Sequence, residues 1–195
     1  MFKLTSRFPR PWTVLMVLAI GVCLMTPAQA DVRKGNGEVG FDLGITSFED
    51  EISESAAGRF SLRAGLMLSD LFEFEGQLAV SDRSDVNLSS GFVNAVFNFR
   101  PGDRLVGYFL LGGGAARLDL DSADSTGAAG QFAGGFRAYG GEGRIGLRLE
   151  LGVIVADHFD EARVYPQATI GFTFVLGAHH NHRAPRRHTG GMAHY

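Results

Sequence analysis

The chain has 195 residues, 18 basic and 21 acidic side chains, one cysteine and 27 glycines. That length suits one domain. The acidic balance excludes a polyanion-binding protein, so no nucleic-acid partner is expected.

The N-terminus reads separately from the rest. Lys3, Arg7 and Arg10 precede an uncharged apolar run from Trp12 to Met25, and Ala28-Gln29-Ala30 follows as an A-x-A cleavage site. This is the layout of a secretory signal peptide, and it predicts a mature start at Asp31. The run is too short for a spanning helix, which needs about 20 apolar residues. Cys23 lies inside this segment and follows the bulky Val22, a poor context for lipidation. Removing residues 1–30 leaves 15 basic against 21 acidic residues, a net −6, and no cysteine. The mature chain therefore has neither a disulfide framework nor a thiol nucleophile.

From Glu38 onward the chain alternates with period two, the signature of strands with unlike faces. Val39, Phe41, Leu43 and Ile45 alternate with Glu38, Gly40, Asp42 and Gly44. A polar, acidic loop is expected over 47–57. Phe60, Leu62, Ala64 and Leu66 then oppose Arg59, Ser61, Arg63 and Gly65. After a turn at 69–71, Phe72, Phe74, Gly76, Leu78 and Val80 oppose Glu73, Glu75, Gln77 and Ala79. A second polar loop is expected over 81–89. Val93, Ala95, Phe97 and Phe99 alternate with Phe92, Asn94, Val96 and Asn98, and Pro101–Arg104 is a tight turn. In the glycine-rich strand 105–118 two rows compete for the apolar side. Arg117 and Asp119 favour Val106, Tyr108 and Leu110 as the outward row. Residues 119–130 read as a third polar loop. Phe132, Gly134, Phe136 and Ala138 then oppose Gln131, Gly135, Arg137 and Tyr139. After a turn at 140–143, Ile145, Leu147, Leu149, Leu151, Val153 and Val155 form the clearest apolar row, opposite Arg144, Arg148 and Glu150. A fourth polar loop is expected over 156–163. The last strand sets Ala168, Ile170, Phe172, Phe174 and Leu176 against Gln167, Thr169, Gly171 and Thr173.

Eight strands of about ten residues, joined alternately by long polar loops and tight turns, predict an all-β, up-and-down antiparallel transmembrane barrel. A soluble sandwich or a lipocalin-like barrel shares the periodicity. The loop alternation, the paired acids and bases on the non-apolar faces and the glycine content argue for the membrane form. An even strand number puts both termini in the periplasm. Phe72, Phe74, Phe97, Phe99, Tyr108, Phe172 and Phe174 are then expected as a periplasmic-side aromatic girdle. The expected organisation is a signal peptide over 1–30, a barrel over 31–177 and a His/Arg-rich periplasmic tail over 178–195.

Gly37-Glu-Val-Gly-Phe-Asp42, Gly107-Tyr-Phe-Leu-Leu-Gly-Gly-Gly-Ala115 after Pro101, Arg144-Ile-Gly-Leu-Arg-Leu-Glu150 and Ile170-Gly-Phe-Thr-Phe-Val-Leu-Gly177 carry a resemblance. Over residues 35–177 the chain resembles the small eight-stranded outer-membrane barrels: the transmembrane domain of outer membrane protein A and the OmpX/Ail type. The resemblance implies outer-membrane lipids, lipopolysaccharide and the barrel-assembly machinery as partners, and a monomer in a Gram-negative outer membrane. Such barrels commonly end on an aromatic residue that the assembly machinery reads. Here Phe174 is followed by Val175, Leu176 and the tail. The 18 residues after Gly177 are too few for a peptidoglycan-binding domain.

The expected interior charges are Glu38, Asp42, Arg59, Arg63, Glu73, Glu75, Arg137, Arg144, Arg148 and Glu150. The reading adopted is a salt-bridge network filling a tube too narrow for a wide pore. The implied role is structural or surface-interacting, in envelope integrity or adhesion, with contact to surface proteins through the acidic outer loops. The alternatives are a narrow porin-like channel and a lipid A-modifying hydrolase. For the hydrolase the one candidate is His158, read as a surface-loop residue, with Asp160 where a nucleophile would be needed. No cofactor and no catalytic residue are expected. His179, His180 and His182 in the tail are weak metal candidates, since imidazole suits divalent transition metals but no carboxylate or thiol accompanies them.

Overall fold

A computed structural model describes residues 34–48, 56–84, 86–99, 104–120, 123–140, 143–159 and 161–177. The expected signal peptide and the tail histidines lie outside these residues. So do Glu49, Asp50, Glu51, Glu54, Asp85, Asp121 and Asp160 of the expected acidic loops.

Eight strands follow in order: β1 (Gly37–Thr46), β2 (Ala57–Met67), β3 (Phe72–Arg83), β4 (Val86–Phe99), β5 (Leu105–Leu120), β6 (Ala123–Gly140), β7 (Ile145–His158) and β8 (Glu161–Leu176). Each pairs antiparallel with its neighbour, and β1 closes on β8. The first tight turn is held by the Ser69 Oγ, which accepts the Phe72 N–H at 3.0 Å.

The ladder fixes the shape of the tube. Partners traced from Ser125 on β6 run through Leu118, Leu88, Ser81, Arg59, Gly44, Thr169 and Glu150, and return to β6 at Gly135. That is a stagger of ten residues on one strand (125 to 135). With about 3.3 Å per residue and about 4.8 Å between strands, it tilts the strands by about 40° and gives a barrel radius of roughly 8 Å. Side chains fill such a lumen.

The facing is inverted relative to a soluble sheet. On β3, Glu73, Glu75, Gln77, Ala79 and Ser81 are buried, while Phe74, Leu78 and Val80 face out. Leu78 is 69% exposed and Leu151 70%, yet Arg137 and Arg148 are fully buried. A water-soluble sandwich or lipocalin would not leave that much apolar wall uncovered. Lipid is the solvent the outer wall suits.

Three of the expected polar loops are strand. β3 and β4 continue to Arg83 and from Val86, β5 and β6 meet across 121–122, and β7 and β8 run to His158 and from Glu161. The strands accordingly reach 10 to 18 residues. The reason is that polarity is a poor sign of a loop once a strand has risen above lipid, where its outer face meets water. The same effect corrects β5. Val106, Tyr108 and Leu110 face inward, and Leu105, Phe109 and Leu111 face lipid. Arg117 and Asp119 share the outward face with the second set, but at the upper end of the strand. There Arg117 pairs with Asp119 at 3.8 Å and with Asp124 at 3.3 Å in the open. Tyr108 therefore leaves the girdle, and Phe109 stacks against Phe97 in its place with centroids 5.3 Å apart. Arg144, expected inside, is exposed at the turn before β7, just outside that strand.

Candidate functional site: the sealed barrel interior

The lumen is layered. At mid-height lies a belt of charge built from alternate positions on five strands, β1, β2, β3, β6 and β7. Arg63 of β2 pairs with Asp42 of β1 and, at 3.1 Å, with Glu150 of β7. Arg148 places Nη2 2.6 Å from Glu150 and Nη1 2.8 Å from Glu75. Arg137 of β6 places Nη1 2.8 Å from Glu73 and 3.1 Å from Glu38, with Nη2 3.9 Å from Glu75. The result is one chain of alternating sign, from Asp42 to Glu73, across the lumen. Charge-assisted bonds of this kind are the strong ones, and out of water they need every partner present.

Neutral groups complete the belt. Arg148 Nε donates to the Tyr108 hydroxyl at 2.6 Å, which donates on to Glu150 at 2.8 Å. Both Arg148 and Arg137 stack on the Tyr108 ring, with Cζ 4.3 and 4.8 Å from its centroid. Ser61 donates to Asp42 at 2.8 Å, Asn94 to Glu75 at 3.4 Å and the Tyr139 hydroxyl to Glu38 at 3.3 Å. Two glycines make the room. A Cβ at Gly65 would run into the Glu73 carboxylate, and one at Gly135 would sit 2.7 Å from the Tyr108 hydroxyl.

Above the belt the lumen turns apolar. Val86, Leu88, Phe92, Leu118, Ile154 and Tyr165 pack into one buried cluster with Phe48 and several alanines. Phe48, within the loop expected over 47–57, lies in the tube, its ring 5.7 Å from Tyr165 and edge-on to it. His158, expected in a surface loop, is fully buried. Its Nε2 lies 3.1 Å from the Ala116 carbonyl, which can only accept, so Nε2 carries the proton. Its Nδ1 faces the Tyr165 hydroxyl at 2.7 Å. Both ring nitrogens are thus committed, and neither meets a serine hydroxyl. Below the belt Met67, Val106, Tyr139 and Val175 form a second apolar closure.

Of the residues singled out from sequence, Arg63, Glu73, Glu75, Arg137, Arg148 and Glu150 come together in the belt, with Glu38 and Asp42. Arg59 faces inward but stands apart. Among the described residues its hydrogen bond runs from Nη1 to Ser81 at 3.3 Å. Tyr108, Tyr139 and Asn94 were not foreseen as partners. A usable signal existed for Tyr108: its even-numbered row on β5 continues into Gly112 and Gly114, which suit a crowded interior. Among the described residues no three His, Cys, Asp or Glu side chains form a metal-sized cluster.

No protein-family model matches the sequence, and no curated protein matches it. Solved structures match the fold. Neisserial surface protein A aligns with a TM-score of 0.54 at 16% identity, over 71% of this chain and 95% of that one. The N-terminal β-barrel domain of Pseudomonas aeruginosa OprF aligns with a TM-score of 0.50 at 17% identity, over 72% of this chain and all of that one. With its closed eight-stranded ladder, apolar outer wall and ion-paired interior, the chain has the fold of the small outer-membrane β-barrels.

Proposed function

We propose that the protein is a non-conducting outer-membrane barrel whose role, in envelope integrity or adhesion, is performed by its wall and its extracellular rim. The observation that carries this reading is the triple closure of the lumen: an apolar layer, an ion belt and a second apolar layer in series. A narrow channel would need all three to part together. In this reading residues 1–30 are cleaved as a signal peptide, residues 31–177 form the barrel and residues 178–195 hang in the periplasm. The barrel-assembly machinery inserts it as a monomer, and its outer wall contacts lipopolysaccharide. It carries no cofactor and catalyses nothing. The commitment of both His158 ring nitrogens inside an apolar layer supports that last point against a hydrolase.

Two measurements on membrane-extracted protein test the reading. Its band should migrate differently on a gel when cold and when boiled. Purified barrels should also stay silent in planar bilayers, while a deletion strain loses detergent resistance or surface attachment. Steady unitary conductance would overturn the proposal in favour of the channel. Calorimetry with Zn²⁺ on the tail decides whether His179, His180 and His182 hold metal.

A further inference from the structure

The charges of the lumen do not balance. Five carboxylates are buried there, Glu38, Asp42, Glu73, Glu75 and Glu150, against the four guanidiniums of Arg59, Arg63, Arg137 and Arg148. One negative charge is left over, between two apolar closures and inside a wall that faces lipid. His158 stands apart in the upper layer, its ring nitrogens taken by the Ala116 carbonyl and the Tyr165 hydroxyl. An excess charge so far from water is costly, and the smallest group that cancels it is a proton.

The donors are shared out unevenly among the five. Glu150 takes Arg148, Arg63 and the Tyr108 hydroxyl. Glu75 takes Arg148 and Asn94, and Asp42 takes Arg63 and Ser61. Glu38 takes Arg137 and the Tyr139 hydroxyl. Glu73 is the poorest supplied. Its Oε2 accepts from Arg137 Nη1 at 2.8 Å, and Glu38 uses that same nitrogen at 3.1 Å. Its Oε1 is buried and bonds nothing. That atom lies so close to Gly65 that a Cβ there would run into it, which leaves no space for a hydrated cation on that side.

We propose that Glu38 and Glu73 hold one proton between them, seated on Glu73 Oε1, and that this proton makes the closed barrel sensitive to alkali. With the proton there, Glu73 Oε2 still accepts from Arg137, whose charge Glu38 balances. A neutral hydroxyl short of an acceptor is cheaper than a bare charge short of a donor. The charges acting on Glu73 are Arg137 of β6, Glu38 of β1 and Glu75 of its own strand. Arg148 of β7 engages Glu75 from the far side. The ladder partners Met67 of β2 and Val96 of β4 are neutral, and Val106, Tyr139 and Val175 close the tube below. Alkali passes the proton to water and leaves Arg137 facing three carboxylates, Glu38, Glu73 and Glu75. The proposal depends on the interior alone and stands whether or not the rim binds a partner.

The test uses the full chain folded in detergent. At pH 6, infrared spectra should show the carbonyl stretch of one buried carboxylic acid, and Glu73→Gln should remove it. A glutamate in the unfolded chain has given up its proton above about pH 4.3, so unfolding at higher pH releases the proton that the folded barrel holds. Stability is therefore lost as pH rises. From pH 5 to 7, each unit should lower the folding equilibrium constant about tenfold more in the unaltered chain than in Glu73→Gln. If the variant fails to fold, carbon-13 labelling of glutamate in the unaltered chain should move the infrared band, and labelling of aspartate should not. No acid band at pH 6, a band that survives in Glu73→Gln or follows the aspartate label, or equal pH slopes in the two chains overturns the proposal.

Discussion

Arg148 and Leu118 close the same tube by unlike means. Arg148 is fixed by direction: three nitrogens reach Glu75, Glu150 and the Tyr108 hydroxyl, and the guanidinium stacks on a ring. Leu118 is fixed by shape alone, among Leu88, Ile154 and their neighbours. The belt lies where the outer wall meets lipid, and the apolar layer lies toward the rim, where that wall starts to turn polar. The barrel is thus polar within where it is apolar without, and apolar within where it nears water. Each end of the lumen is closed by a core like that of a soluble protein, and charge is confined to the stretch that the bilayer surrounds.

The contrast can be broken from either side. Arg148→Met leaves Glu75 and Glu150 facing each other without their shared cation. It should cost about 3–5 kcal/mol, the range for breaking a buried pair from one side, read as a lower denaturant midpoint in the gel-shift assay. Leu118→Ala only opens a cavity and should cost about 3 kcal/mol. Neither variant should conduct in planar bilayers, since each leaves the other closure standing. The two losses should add to within about 0.5 kcal/mol in the double variant, because they share no partner. A large coupling would mean that belt and apolar layer form one unit. Glu73→Gln is milder: Arg137 keeps Glu38 and Glu75, so the loss should be about 1 kcal/mol. The smallest effect belongs to the rim. Phe159 is 41% exposed and holds a left-handed backbone at φ 57°. Phe159→Gly should stabilise the barrel by roughly 1 kcal/mol, since glycine adopts that conformation without a clash. Any loss of surface attachment in that variant would assign the exposed ring to partner contact.

Period-two alternation made the strands and their facing legible wherever one row is charged and the other is not, as on β3 and β7. It misleads on β5, where Arg117 and Asp119 point to the wrong row as the interior one. They stand outside the barrel above lipid, at a height that a strand pattern does not encode. The same blindness to height made Val86, Leu88 and His158 read as loop when they are lumen. The inward facing of Glu73, Glu75, Arg148 and Glu150 was legible in sequence, since a charge between lipid-facing residues can only face in, whereas Arg144, expected inside on the same ground, is exposed. The wiring of the belt was not legible. Arg63 and Glu150 are 87 positions apart and Arg137 and Glu38 are 99. Only the ten-residue stagger brings them together. Arg59 shows the limit: facing inward did not make it a member.

The belt also bears on how the barrel is made. Its bridges join the two halves of the chain, Arg137 of β6 to Glu38 of β1 and Arg63 of β2 to Glu150 of β7. A sheet that has not yet curled keeps Arg63 with Asp42 and Arg148 with Glu150, but it leaves Arg137 without Glu38 and Glu73, and burying that charge unpaired carries a large penalty. Closing the first strand on the last is thus the step that supplies Arg137 with its counter-charges, and a tube left open would carry that penalty within the bilayer.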